Sequence, residues 1–370
     1  MSARAKVAVG MSGGVDSTMA VLLLQRMGHE VIGLTMLTWD GSVPLTDKGR
    51  SGCYGPSEKR EIERVRAVAA KLGIVHHAIP LADEYKCCVL DYFRADYLAG
   101  RTPNPCVVCN EKVKFLALPA KARAMGITFD FFATGHYARV VRGPGAGRWL
   151  LNRAVDRRKD QSYFLSRLSQ EQLRQLLLPL GAMTKVAVKA LARESGFDEL
   201  AGQAESQDFL DSGEYPALFA GQTVQPGPIL DMQGRELGQH KGIVHYTVGQ
   251  RKGLGLGGTG EPLYVVRIDS ERNAVIVGPR EALYHRALTA RGFNWIAIES
   301  LTSPLRVHAK IRQQHTEAPA TVMPVASGVG ETARVVFDEP QMSITPGQTV
   351  VLYEEDTVVG GGTIMGADAG

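Results

Sequence analysis

Hydrophobic positions in the first third of the chain switch repeatedly between a strand-like and a helix-like spacing. Residues 7–9 are a short apolar run that ends in a glycine-rich stretch at 10–17. Residues 18–27 are apolar-rich with helical composition, and Gly28 stands where a helix end takes a glycine. Residues 31–36 predict the next strand. Behind Ser57, a capping residue type, Ile62, Val65, Val68/Ala69 and Leu72 mark one face of a helix stopped by Gly73. Residues 75–79 and 131–134 predict strands, and 89–98 and 115–125 predict helices. Strands alternating with helices predict an α/β domain with a parallel, doubly wound sheet. Ligands of such sheets sit beyond the carboxyl ends of the strands. The 10–17 loop, Met36 and the Gly135-His136 turn all fall at such ends.

Helical spacing returns at 162–195, with Leu165, Leu168, Leu173, Leu176 and Leu177. Beyond about Gly213 the pattern shortens to alternating strands at 242–248, 263–268, 274–277, 306–312, 333–337 and 349–353, punctuated by glycine and proline. That pattern predicts small β domains or barrels. The expected organisation is a catalytic domain at 1–212, a β-rich central domain at 213–281 and a C-terminal β-barrel at 282–370. Glycines 253, 255, 257, 258 and 260 mark a loop.

Composition narrows the class without deciding it. The chain has 370 residues, 44% hydrophobic and 22% charged, with a formal net charge of +4. No apolar run is long enough to predict a membrane span, and the N-terminal residues show no signal-peptide pattern, so a cytoplasmic location is expected. The mild positive charge permits a polyanionic partner without requiring one. The five cysteines are Cys53, Cys87, Cys88, Cys106 and Cys109. An odd number without a secretion signal argues against a disulfide framework, and their clustering points to local chemistry.

Gly10-Met11-Ser12-Gly13-Gly14-Val15-Asp16-Ser17 follows a strand and opens a helix. Glycines let backbone N–H groups approach phosphate oxygens, and a helix N-terminus adds partial positive charge. Ser12 and Ser17 can donate hydroxyl hydrogen bonds. Asp16 would repel phosphate by itself, so it is expected to bind Mg²⁺ or to organise the loop. The string lacks the lysine of a Walker loop and is not GxGxxG; it resembles the loop of ATP pyrophosphatases, the PP-loop. In Asn104-Pro105-Cys106-Val107-Val108-Cys109, prolines fix an extended approach and Lys112 and Lys114 follow. A thiol at a helix start beside lysines is expected to have a depressed pKa, which makes Cys109 a candidate nucleophile or persulfide carrier. The competing readings are half of a zinc site completed by Cys53 with Cys87 or Cys88, a redox pair, or simple packing. Cys87-Cys88 lies in a helical stretch, and its adjacent side chains diverge too far to serve one site easily.

With these segments in hand, the sequence resembles the tRNA-specific 2-thiouridylases, which act on the wobble uridine, U34. The shared strings are SGGVDS at 12–17, GRTPNPCVVCNEKVKF at 100–115, ATGHYAR at 133–139, KDQSYFL at 159–165, GQHKGIVHYTVGQRKGLGL at 238–256, AKIR at 309–312 and EPQMSITPGQ at 339–348. The resemblance implies an ATP- and Mg²⁺-dependent sulfurtransferase that releases AMP and pyrophosphate. Its partners would be the anticodon region of tRNA and a sulfur donor such as a cysteine desulfurase or sulfur relay protein. ATP would be held by Gly10, Met11, Ser12, Gly13, Gly14, Val15, Asp16, Ser17, Met36 and Gly135. Asn104, Pro105 and Cys106 would lie against the target base, and His136, Lys159, Asp160, Gln161, Arg312, Gln313 and Gln348 would contact tRNA. Cys109 occupies the nucleophile position.

One departure matters. The family's second cysteine lies in a segment resembling DSQEICF, and here Leu210 takes its place. No cysteine follows Cys109. Two schemes restore sulfur transfer. Cys106 and Cys109 form the working pair, or Cys53, Cys106 and Cys109 hold a [4Fe–4S] cluster with one iron open to sulfide. Two other classes share features: an amidotransferase-like synthetase with the same loop, which leaves the Pro-Asn-Pro-Cys segment unexplained, and an inactive tRNA-binding homologue, which would account for Leu210. Pyrophosphate exchange stimulated by tRNA separates both from a thiolation enzyme.

Overall fold

The computed structural model describes residues 4–47, 53–144, 147–203, 210, 214–222, 224–257, 261–325 and 332–368. Five strands make an all-parallel sheet: β1 (Lys6–Gly10), β2 (Glu30–Leu37), β3 (Val75–Pro80), β4 (Phe131–Thr134) and β7 (Leu176–Leu177), in the order β3-β2-β1-β4-β7. β5 (Ala138–Arg142) and β6 (Trp149–Arg153) form an antiparallel hairpin between β4 and β7 in sequence. The chain builds outward from β1 on one side, then returns to β4 on the other. The switch point is therefore the β1/β4 border, where open α/β sheets bind ligands. Val7, Val9, Val21, Leu24, Val65 and Ala133 pack beside this border, each large apolar side chain contributing about 1.5–3 kcal/mol by burial.

The helices agree with their periodicity more closely than with their expected ends. Helix Val15–Arg26 stops at Met27, and Gly28 follows with φ +89. Helix Glu58–Lys71 buries Ile62, Val65 and Ala69, but Ser57 does not cap it. Ser57 has helical dihedrals and its hydroxyl donates to Glu61 Oε1 at 2.7 Å. Residues 115–125 are not one α-helix. Cys109–Ala117 winds as a π-helix and continues as the α-helix Leu118–Ala124. Lys86–Leu90 is also π-helical. Wide turns of this kind are frequent at functional sites.

The second half is β-rich. β8 (Gly227–Leu230), β9 (Glu236–His240), β10 (Tyr264–Asp269) and β11 (Ala274–Gly278) form a sheet in the order β10-β11-β8-β9. The strand expected at 242–248 is absent; the short 3₁₀ turn Ile243–His245 replaces it. Gly242 has φ +132, and a Cβ there would come within 2.0 Å of Val224 Cγ1, so the chain turns where alternation predicts extension. β12 (Tyr284–Trp295), β13 (Leu305–Lys310), β14 (Ala318–Pro324), β15 (Ala333–Met342), β16 (Thr349–Glu354) and β17 (Thr357–Ala367) run β12-β15-β14-β13-β16-β17. β17 pairs back on β12 and closes a six-stranded antiparallel barrel. Leu288, Val307, Val322, Phe337 and Ile364 fill it, and closure leaves no exposed edge.

By contacts the chain divides into two compact units. One holds Met1–Val89, Cys106–Ala217 and Asp356–Val358; the other holds Leu90–Pro105, Leu218–Glu355 and Val359–Gly370. Segment Leu90–Pro105 thus belongs with the β-rich half. Phe93 and Tyr97 pack their rings on Phe219 at 6.3 and 6.0 Å, and Arg94 Nε donates to the Leu218 carbonyl at 2.6 Å. Among the described residues no helix is long and apolar enough to cross a membrane.

Candidate active site

The loop after β1 is built by small residues and internal hydrogen bonds. Gly13 takes φ +76, and a Cβ there would meet Val65 Cγ2 at 3.1 Å. Met11 N–H donates to the Leu34 carbonyl at 2.8 Å, and the Thr35 hydroxyl donates to the Met11 carbonyl at 2.9 Å. Thr35 Oγ1 also stands 2.8 Å from His76 Nε2. Ser12 N–H reaches Ser17 Oγ at 3.3 Å, and Ser17 Oγ donates to the Gly14 carbonyl at 3.1 Å. Val15, Asp16 and Ser17 begin the helix, and N–H groups of a first turn have no intrahelical acceptor. The result is a turn whose donors suit phosphate oxygens. Met36 lies half-buried near the carboxyl end of β2.

Gly135 presses on this loop from β4. A Cβ at Gly135 would come within 2.6 Å of the Asp16 carbonyl carbon and 2.7 Å of Ser17 N. The next residues fix the turn. Tyr137 N–H donates to Gln161 Oε1 at 2.9 Å, Gln161 N–H donates to the Tyr137 carbonyl at 2.8 Å, and the Tyr137 hydroxyl donates to Asp16 Oδ1 at 2.7 Å. The Asp16 carboxylate also receives Lys185 Nζ at 2.8 and 2.7 Å, so in this structure it organises the loop. His136 contacts Thr134 Oγ1 at 2.7 Å through Nδ1. Burial, then the Lys114 ammonium, hold its pKa well below the usual histidine value.

Lys159, Asp160 and Gln161 are not equivalent. Asp160 is buried and turned inward: Oδ1 accepts Ala154 N–H at 2.9 Å and Oδ2 accepts the Ser162 hydroxyl at 2.7 Å. Gln161 is bound to Tyr137 as above, and Lys159 is half-buried. In the β-rich unit, Gln348 Nε2 donates to the Thr102 and Pro103 carbonyls, both at 3.0 Å, and Thr102 N–H donates to the Pro346 carbonyl at 2.8 Å. Asn104 is buried, with its N–H on the Tyr92 hydroxyl at 3.1 Å, and Pro105 follows at the end of this segment. Gln348 thus anchors the Thr102-Pro103 segment within the β-rich unit. Arg312 donates to the Met342 carbonyl at 3.1 Å, and Gln313 is half-buried beside it.

The thiols correct one expectation outright. Cys109 does open a helical segment with Lys114 near, but it is 8% exposed and its pKa is pushed up to about 11. Burial raises it most. The Lys114 charge and a hydrogen bond from the Lys114 N–H lower it by less, while Cys53 and Cys88 raise it further. Desolvation of a thiolate outweighs one nearby ammonium. Cys106 is half-buried, Cys53 and Cys87 are exposed, and Cys88 is half-buried with its pKa raised by burial and by Cys87. Tyr85 is buried, and Cys109, Cys53 and Cys106 all act on its hydroxyl. Among the described residues no three His, Cys, Asp or Glu side chains are placed to share a metal ion. The Cys53, Cys106 and Cys109 set therefore does not fit a cluster in this conformation. Leu210 is buried, 1% exposed; its neighbours Glu205 to Phe209 lie outside the described residues.

Sequence reasoning missed Tyr137 and Lys185. The one signal for Lys185 was Thr184, which caps helix Lys185–Glu194 by accepting Ala187 N–H at 3.2 Å.

A switch-point loop shaped for phosphate, a cysteine segment in the same unit and two β domains define a nucleotide-handling α/β enzyme with β-barrel appendages. Three family models match in series: the tRNA methyl transferase HUP domain at 5–210, the tRNA methyl transferase PRC-barrel domain at 219–279 and the aminomethyltransferase beta-barrel domain at 285–364. The tRNA-specific 2-thiouridylase MnmA of Moorella thermoacetica is 49% identical over 96% of this chain and 98% of its own. Those of Acetivibrio thermocellus and Symbiobacterium thermophilum are 45% and 46% identical, each over 97% of this chain and over 99% and 92% of their own. Full-length identity at this level decides for thiolation over the methyl transfer that the domain names mention. The chain belongs to the tRNA-specific 2-thiouridylase family, and it is a sulfurtransferase enzyme.

Proposed function

We propose that the chain uses ATP, held at residues 10–17 with Mg²⁺, to adenylate O2 of the wobble uridine of tRNA and then replaces that oxygen with sulfur through Cys109. Adenylation turns a poor leaving oxygen into AMP, with pyrophosphate released. The N–H groups of the loop, Gly135 and Met36 line the nucleotide, and positioning plus charge stabilisation supplies the rate. The uridine must leave its stack to reach the site, and Asn104, Pro105 and Cys106 meet it. His136, Lys159, Gln161, Arg312 and Gln313 contact the RNA. Asp160 and Gln348 serve it by holding the turn and the approach segment in place.

Leu210 removes the family's second thiol, so Cys106 is the partner of Cys109. A persulfide on Cys109 attacks C2, AMP leaves, and Cys106 attacks the Cys109 sulfur. The products are thiouridine and a Cys106–Cys109 disulfide, which an external thiol reduces. The sulfur donor is a desulfurase or relay protein. The observation that carries the reading is the pairing of a phosphate-shaped switch-point loop with Cys109 in one unit. The rival scheme, a cluster on Cys53, Cys106 and Cys109, would need these thiols to rearrange, since they are not placed to share a metal here. The test is anaerobic purification followed by iron and sulfide analysis and tRNA-stimulated pyrophosphate exchange. Iron-free protein with full thiolation and a Cys106→Ser variant that stalls after adenylation support the thiol pair. Stoichiometric iron and loss of iron in Cys53→Ser overturn it. No tRNA-stimulated exchange overturns the adenylation itself.

A further inference from the structure

Lys185 is buried, its side chain 8% exposed, and its ammonium pairs with both carboxylate oxygens of Asp16. Asp16 sits in the first turn of helix Val15–Arg26, at the rim of the loop. A carboxylate there is favoured by the helix dipole but opposes the polyphosphate the loop is shaped to take. Burying an ammonium against a half-exposed carboxylate is a costly way to brace a turn, and this turn is already braced: Gly135 fits against Asp16 and Ser17, and the Tyr137 hydroxyl holds Asp16 Oδ1. The ammonium therefore has a use beyond the fold. Asp16 has the hard oxygen donors that suit Mg²⁺, and the cation it now binds has the charge that suits phosphate.

We propose that Lys185 is a phosphate ligand for the nucleotide, held in reserve by Asp16 until Mg²⁺-nucleotide arrives. With Mg²⁺-nucleotide bound, the Asp16 carboxylate would hold the metal and the Lys185 ammonium would pair with a phosphate oxygen instead. Each charge keeps a partner throughout, so the site avoids an isolated buried charge at any stage. The proposal rests on the reading of residues 10–17 as the ATP loop. It makes Lys185 a residue that touches the nucleotide, not merely a brace.

Titration calorimetry of the full-length protein with ATP, AMP and inorganic pyrophosphate, with Mg²⁺ and with EDTA, tests it. Lys185→Met should weaken ATP and pyrophosphate by about tenfold or more while AMP changes less than about twofold. Asp16→Asn frees the lysine, so pyrophosphate binding in EDTA should tighten relative to wild type. The double variant Asp16→Asn/Lys185→Met should lose that gain. It also removes both charges, so it keeps the fold that Lys185→Met alone could lose by leaving the Asp16 carboxylate without its cation, and its melting temperature checks this. Unchanged ATP and pyrophosphate affinity in the double variant, or no gain in Asp16→Asn under EDTA, overturns the proposal alone. A wild-type protein that binds neither ATP nor pyrophosphate overturns it together with the loop reading.

Discussion

Asp16 and Cys109 belong to one unit and meet opposite electrostatic conditions. Asp16 is matched by Lys185 and by the Tyr137 hydroxyl, and its loop is fixed by glycine contacts that tolerate no side chain. Cys109 is buried, with Cys53 and Cys88 raising its pKa further and one ammonium too weak to offset its desolvation. The loop at 10–17 is fixed by its own hydrogen bonds and close contacts. The sulfur half stands protonated and shielded. On the proposed function that asymmetry is useful: ATP would bind first, and the Cys109 thiol would become a nucleophile only when its surroundings change.

The largest expected effect breaks the comparison at its sulfur end. Cys109→Ser should lower thiolation by more than about a thousandfold, while ATP affinity and tRNA-stimulated pyrophosphate exchange stay within about twofold. Mass spectrometry of the tRNA product and an exchange assay read the two halves separately. Persistent thiolation would move the nucleophile elsewhere. Alkylation sharpens the same point: Cys53 and Cys87 should react first with iodoacetamide near neutral pH. Cys109 should react last, its rate climbing as pH approaches about 11.

The nucleotide end breaks at Gly135. Its missing Cβ would sit 2.6 Å from the Asp16 backbone, so Gly135→Ala should cost about 1–3 kcal/mol in urea unfolding and weaken ATP binding. Gly202→Ala, with nothing within 4 Å of the added Cβ, is the control and should be near neutral. Equal effects at both positions would mean that the loop yields where the geometry says it cannot.

His136 gives a smaller, pH-dependent effect. Its folded pKa lies well below 6.5, because burial and then Lys114 disfavour the imidazolium. Below 6.5 the unfolded chain binds a proton that the folded chain refuses. Stability therefore falls by about 1.4 kcal/mol for each pH unit below that point, until the folded value is reached. His136→Gln should flatten the acid limb of denaturant midpoints between pH 6.5 and 4.5. An unchanged limb would mean that other groups carry it.

What the sequence made legible follows the same division. β1, β2, β3 and β4, the loop at 10–17 and the Gly135-His136 turn could be read because apolar periodicity and obligatory glycines are local signals. The Lys185–Asp16 pair could not, since it joins positions 169 apart in sequence and depends on how helix Lys185–Glu194 packs. The Cys109 pKa was misjudged because proximity to lysine is visible in sequence and burial is not. The π-helix Cys109–Ala117 carries the composition of an α-helix, so its wider winding left no trace. Asp160 and Gln348 were read as RNA contacts through motif resemblance; their internal hydrogen bonds, to Ala154 and Ser162 and to the Thr102 and Pro103 carbonyls, had no signal in sequence. In the β-rich half the turn at Gly242 replaced an expected strand, and β12, β14 and β17 emerged only through barrel closure, a non-local constraint.

The smallest expected effect lies outside the catalytic unit and tests whether charge there is committed inward or outward. The described hydrogen bond of Arg312 goes to a neutral carbonyl, that of Met342, whereas Asp16 has its charge cancelled by Lys185. A guanidinium on a neutral acceptor keeps its field for an external anion. Arg312→Ala should therefore weaken tRNA binding several-fold and reduce the slope of log affinity against log salt by about 0.7–0.9, the contribution of one phosphate contact. Filter binding across a salt series measures both. Pyrophosphate exchange at saturating tRNA should not change, because the loss is in binding and not in the loop. A weakened affinity with an unchanged salt slope would mean that Arg312 acts by bracing β15 through Met342, and the outward charge would then have to come from another residue of the barrel.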